Sequence, residues 1–202
     1  MRLLRFVGFL LFVSLLTVSG QDGIIDSSFG NNGKYIYRGI TGHSRATAHG
    51  LLSDGSIILS CYAGIYRNPF YMKLTSSGSL DTSFGTKGVR TLTHTSTLTN
   101  NQVAVQSDGK IIAAYSLLNA VIVTRLNSDG TTDTSFGSSG TTLISISDGG
   151  ADLRSIKIDY ADRILLGTTE YSFDKLAFGI TRILSNGTID ASFGNMGRTV
   201  IK

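Results

Sequence analysis

The sequence reads as an all-β chain of tandem four-stranded sheets, arranged like the blades of a propeller. Three observations point there. An eight-residue phrase, Asp-x-Ser-Phe-Gly-x-x-Gly, occurs four times, starting at Asp26, Asp81, Asp133 and Asp190, with copies 55, 52 and 57 residues apart. Self-similarity at a period of about fifty residues marks an array of stacked units. Composition agrees: 24 of the 202 residues are glycine and one is proline, and short runs rich in Val, Ile, Thr and Tyr alternate with glycine-containing turns, a pattern of strands. Beyond the first twenty residues, no segment carries a capped apolar period of helical spacing.

Those first twenty residues stand outside the array. Arg2 and Arg5 precede an apolar run over 6–16, and Val18-Ser19-Gly20 leads to Gln21. This is the layout of a secretory signal peptide, with an apolar run too short for a comfortable membrane span. A domain over 21–202 is therefore expected to be secreted, periplasmic or at the cell surface, with no membrane span once the leader is gone. The 18 Lys and Arg against 14 Asp and Glu give a formal charge of +4, and loss of Arg2 and Arg5 leaves +2. The basic residues are scattered singly without interleaved aromatics, which argues against a nucleic-acid partner. Cys61 is the single cysteine, so no intrachain disulfide can form, and it reads as a small strand residue.

The interval after the second phrase shows one unit. Residues 88–92 form a first strand, 93–101 a polar loop, and 103–105 a second strand ending at Ser107-Asp108-Gly109. An Asp-Gly pair between apolar runs marks a hairpin, because glycine accepts the positive φ of a primed turn. Residues 110–115 make a third strand and 121–126 a fourth, closed by Asn127-Ser128-Asp129-Gly130. The other intervals follow the same plan, with Asp54-Gly55 and Ala161-Asp162 at the first turn, and Ser77-Gly78 and Asn186-Gly187 at the second. The units then run over about 33–87, 88–139 and 140–196, with one extra strand at 197–201. Three units are fewer than the four to eight blades that usually close a ring. An open arc or completion by self-association is expected, because unpaired edges at both ends invite association.

Within the phrase, Asp26, Asp81, Asp133 and Asp190 can accept backbone N–H groups two residues on. The glycine pairs Gly30 and Gly33, Gly85 and Gly88, Gly137 and Gly140, and Gly194 and Gly197 permit backbone conformations that a Cβ resists. Phe29, Phe84, Phe136 and Phe193 are the large apolar groups, each expected to wedge between units and contribute about 1.5–3 kcal/mol where buried. A feature present in every unit belongs to architecture before catalysis.

Together with the preceding Lys/Arg-Leu/Ile-x-x-x-Gly and Asp-Gly-x-Ile patterns, the phrase resembles the delta-60 repeat family over residues 24–202. The resemblance implies a β-propeller domain of unknown function in bacterial secreted or surface proteins, here as a short array. It brings no catalytic residues. Ala161-Asp162 departs from the family's Asp-Gly.

Two loops break the repetition and are the candidate binding sites. Tyr66, Arg67 and Tyr71 lie in the loop between third and fourth strands of the first unit, and Glu170, Tyr171 and Asp174 in that of the third. Aromatics beside hydrogen-bonding groups suit carbohydrate contact, and equally suit a solvated hairpin end. Glu170, the one glutamate, paired with Asp152 or Asp174 would be the carboxylate couple of a polysaccharide hydrolase or lyase. His43 and His49 lack a third ligand. Asn127, Asp129 and Asp133 are spaced like a calcium loop but lack the recurring carboxylates and bidentate glutamate of one. No metal and no cofactor is therefore expected. Asn186-Gly187-Thr188 matches a glycosylation acceptor. The function read from these residues is a secreted, non-enzymatic binding or surface-interaction module, its partner either a second copy or a glycan or surface protein. The alternatives are the hydrolase or lyase, and a degenerate repeat remnant.

Overall fold

The computed structural model of the chain describes residues 23–39, 44–64, 68–92, 99–146, 149–172 and 175–201; the expected leader, 1–20, lies outside them. Twelve strands form three antiparallel sheets, and no helix occurs among the described residues. The first sheet holds β1 (Ser44–Leu51), β2 (Ile57–Ala63), β3 (Asn68–Leu74) and β4 (Val89–Thr91). The second holds β5 (Thr99–Val105), β6 (Ile111–Leu117), β7 (Ala120–Leu126) and β8 (Thr141–Ser145). The third holds β9 (Ala151–Ile158), β10 (Ile164–Ser172), β11 (Lys175–Ile183) and β12 (Arg198–Ile201). In each sheet neighbours in space are neighbours in sequence.

Turn chemistry sets the first hairpin of each sheet. Gly55 and Gly109 sit at φ of 80° and 81° between strands registered as Leu51↔Ile57 and Val105↔Ile111. The third sheet reaches the same geometry without glycine. Asp162 takes φ 56°, and Asp159 Oδ1 accepts the N–H groups of Ala161 and Arg163 at 2.9 and 3.0 Å. Ile158↔Ile164 pairing follows as in the other sheets.

The sheets are cut one strand out of phase with the repeat units. The strand after each phrase pairs backward: Val89 with Met72, Thr142 with Val123, Thr199 with Ile180. The cause lies in the phrase. Asp81 N–H bonds Lys73 O at 2.8 Å, holding the chain beside β3, while Phe84 N–H to Asp81 O (3.1 Å) and Gly88 N–H to Phe84 O (2.9 Å) close two turns that reverse it. Residues 197–201, read from the sequence as the extra strand, are thus needed to complete the third sheet. The strand-like copy without a sheet of its own is the opening one, at 33–38.

The sheets stack face to face, with their leading strands β1, β5 and β9 in contact. Between the first and second sheets, Ile58, Tyr71 and Phe84 pack on Ile111, Tyr115 and Leu126. Between the second and third, Val121, Val123, Phe136 and Ile144 pack on Leu153, Ile164, Leu166 and Ile183. The far face of the first sheet is covered by the opening segment, whose Tyr35 and Tyr37 lie over Cys61, Phe70 and Met72. Among the described residues no closed barrel forms; the three sheets make an open, propeller-like series.

Candidate functional site

Each phrase is a small electrostatic device. Asp133 Oδ1 accepts the N–H and hydroxyl of Ser135 at 3.1 and 2.6 Å, and Asp190 does the same with Ser192. The second oxygen pairs with a cation eight residues upstream: Lys73 Nζ with Asp81 at 3.2 Å, Arg125 Nε with Asp133 at 2.7 Å, Arg182 Nε with Asp190 at 2.7 Å. The guanidiniums of Arg125 and Arg182 also sit over their phrase's ring, 4.8 Å from the centre of Phe136 and 4.6 Å from that of Phe193. Lys110 Nζ adds a third contact to Asp133 at 2.7 Å. Hydrogen bonds from Lys110 first, then Ser135, with the nearby Arg125 charge, hold the Asp133 carboxyl well below the ordinary range.

The phrase then grips the next sheet. Gly85 N–H donates to Asp129 O at 2.7 Å and Gly137 N–H to Asn186 O at 2.9 Å, each reaching the second turn of the following sheet. The cation crosses the same gap, Lys73 Nζ to Ser128 O at 3.4 Å and Arg125 Nη1 to Ser185 O at 2.5 Å. Gly130 is required here: at φ 86°, a Cβ would lie 2.9 Å from Gly85 N and 3.0 Å from the Phe84 ring. The opening segment uses the same grip on the first sheet, Gly30 N–H to Ser77 O at 2.8 Å. Asp162, the departure from Asp-Gly, adds to the second seam by accepting Ser107 N–H at 2.8 Å on its carboxylate and Gln106 Nε2 at 2.8 Å on its carbonyl.

Two stretches, 106–136 and 162–193, match a family model described as "Domain of unknown function (DUF5122) beta-propeller". These two stretches are similar to β-propeller repeats. Each matched stretch runs from the first turn of a sheet, through the central hairpin and the cation, to the phrase phenylalanine, so it covers the parts that make a seam. No curated protein matches the chain.

On the rim of the three sheets, the candidate residues separate. Tyr66, Arg67 and Asp174 lie outside the described residues, in the sequence between β2 and β3 and between β10 and β11. The β2–β3 and β10–β11 hairpins are equivalent, and therefore on one edge of the array. Tyr71 does not reach that edge. It is fully buried between the first two sheets, because alternation along β3 sends its neighbours Phe70 and Met72 to the other face. Burial pushes its phenol far above the usual range.

Glu170 is also buried, ion-paired with the Arg198 guanidinium and accepting the Thr168 hydroxyl at 3.1 Å. It faces the second sheet. Asp152 stands opposite Thr169, the next residue along β10, and so belongs to the other face. The Glu170–Asp152 couple of a hydrolase is not formed. Asp152 instead gathers a cluster on the outward face: Tyr171 donates to its Oδ2 at 2.9 Å and Arg154 Nη2 at 2.9 Å, while Arg154 also reaches the Tyr171 hydroxyl at 3.1 Å and Thr169 Oγ1 at 3.1 Å. Arg154 escaped the sequence reading because it sits where the β9–β10 register slips, between Gly167 and Thr168, and no local pattern announces a bulge there.

The calcium-like spacing has a structural use: Asp129 Oδ1 accepts the N–H and hydroxyl of Thr131, and Asp133 is engaged as above. His43 is outside the described residues, and His49 is exposed on β1. No group of three metal-ligating side chains converges among the described residues. Cys61 is buried, and burial pushes its thiol up to about 11.

Proposed function

We propose that the chain is a secreted, non-enzymatic β-propeller-like binding module whose partner is a glycan, contacted at the edge bearing the β2–β3 and β10–β11 hairpins. The observation that supports this most is the Asp152–Arg154–Tyr171 cluster. Its side chains are partly exposed, with Arg154 at 51% and Asp152 at 26%. A carboxylate acceptor, a guanidinium fork and a phenol together offer the donors, acceptors and ring face that a polyhydroxylated ligand engages. The cluster is pre-organised by its own hydrogen bonds, which lowers the ordering cost of binding. Export rests on the Arg2, Arg5 and 6–16 leader pattern.

A glycan microarray with the purified chain tests the reading. Wild type is expected to retain a defined subset of glycans, and Tyr171→Ala or Arg154→Ala to weaken retention about tenfold or more. Retention of no glycan, or equal retention by both variants, contradicts it.

A further inference from the structure

The outward face of the third sheet is a complete seam that no sheet covers among the described residues. Val121 and Val123 stand twelve and ten residues before Asp133, and the third sheet fully covers both. Phe178 and Ile180 stand at the same distances before Asp190, yet are 63% and 44% exposed. Ile144, eleven residues after Asp133, is buried, whereas its counterpart Ile201 is 64% exposed. Ile201 lies directly opposite Phe178, so these side chains form one apolar stripe.

The polar half of the seam is present as well. Arg182 is held over Phe193 by Asp190, as Arg125 is over Phe136 by Asp133. Among the described residues, Gly194 N–H and Arg182 Nη1 have no counterpart of the turn carbonyls that Gly137 and Arg125 reach. Phe193 is half-buried where Phe136 is fully buried. A groove lined by Gly194, Arg198, Thr199 and Val200 repeats one side of the groove between the first two sheets.

The matching receptor is on the first sheet, under a weaker occupant. Phrase one holds Gly78 and Ser77 through Phe29 and Gly30. The position eight residues before Asp26 is Val18, so that phrase has no cation there, and among the described residues none reaches the Ser76 carbonyl, the counterpart of Ser128 and Ser185. Phe29 is half-buried.

We propose that a second copy of this chain docks head to tail. Its Phe193, Gly194 and Arg182 engage Gly78, Ser77 and Ser76 of the first sheet, and its Phe178–Ile180–Ile201 stripe covers Cys61, Phe70 and Met72. The opening segment, residues 24–38, is displaced. Two such contacts between two chains bring six sheets into a ring, within the range that propellers close. Phe178 stands directly opposite Thr169, which Arg154 bonds and which pairs with Asp152, so the stripe adjoins the Asp152–Arg154–Tyr171 cluster on one outward face; association is read without glycan, so its outcome is distinguishable from that of the glycan array.

Sedimentation velocity over a concentration series tests it. Wild type should associate reversibly, and Phe29→Ala, which loosens the segment to be displaced, should associate at about tenfold lower concentration. Phe178→Asp should stay monomeric, with Ile201→Asp as a second exposed substitution in case the first disturbs β11; far-UV circular dichroism establishes that each is folded. Association into dimers or longer head-to-tail series, lost in either folded variant, supports the proposal. A monomeric wild type and Phe29→Ala up to millimolar concentration, or association untouched by both aspartates, overturns it.

Discussion

Asp133 shows how much of the fold rests on single carboxylates. Its oxygens take Ser135, Lys110 and Arg125 together. Asp81 and Asp190 are lowered from the ordinary value of 3.8 as well, by Ser83 and Lys73 and by Ser192 and Arg182. Because the native values lie below the unfolded ones, the stability these groups contribute is complete above the unfolded value and is lost as pH falls from there through the native values. Urea unfolding is therefore expected to give a plateau above about pH 5 and a decline below about pH 4. Asp133→Asn should cost about 2–3 kcal/mol at neutral pH and flatten the acid decline; an unchanged pH profile would contradict the assignment. The Asp–Ser contact was legible in the sequence, since its two-residue spacing is local. The cation eight residues upstream was not, because only the backward path of the chain brings Lys73, Arg125 or Arg182 beside its aspartate. Cys61 gives a second residue-scale expectation. Its buried thiol should resist disulfide reagents in the native protein and react once residues 24–38 leave the first sheet; rapid labelling of the folded protein would mean that Tyr35 and Tyr37 do not cover it.

At the scale of the element, the turns decide where strands begin and how sheets meet. Gly109 and Gly130 have similar φ, 81° and 86°, but a Cβ on Gly109 meets nothing within 4 Å while one on Gly130 strikes Gly85 and Phe84. Gly109→Ala should cost about 1 kcal/mol from backbone strain alone, and Gly130→Ala measurably more, because the seam must open. Equal losses by chemical denaturation would show that the turn does not carry the docking. The phrase rings should divide in the same way. Phe136→Ala should cost about 3–5 kcal/mol and Phe193→Ala about 1 kcal/mol, since only the first ring is enclosed by two sheets. Strand content and hairpins were readable from Asp-Gly and Asn-Gly signals. The phase of the sheets was not, because a phrase that looks like a linker turns the chain back onto its own sheet. Ala161-Asp162 departs from Asp-Gly, yet Asp162 takes the positive φ that glycine takes elsewhere, with Asp159 Oδ1 holding the turn through the N–H groups of Ala161 and Arg163.

Across the whole molecule, one contact is repeated: phrase onto turn, sheet after sheet. The four-fold phrase makes that repetition visible in the sequence itself. What the phrase could not reveal was which face each rim residue takes. Tyr71 and Glu170 fall on inward faces by strand alternation, and the register slip at Gly167 and Thr168 brings Arg154 to Asp152. Native-state hydrogen exchange at the first glycine of each phrase tests the repeated contact most directly, measured in dilute protein so that the end face stays free. The amides of Gly85 and Gly137, bonded to Asp129 and Asn186 across the seams, should be protected to nearly the level of the core strands, and that of Gly194 should exchange freely. Gly85 and Gly137 exchanging as fast as Gly194, while β6 and β7 stay protected, would mean that the sheets are not joined by their phrases.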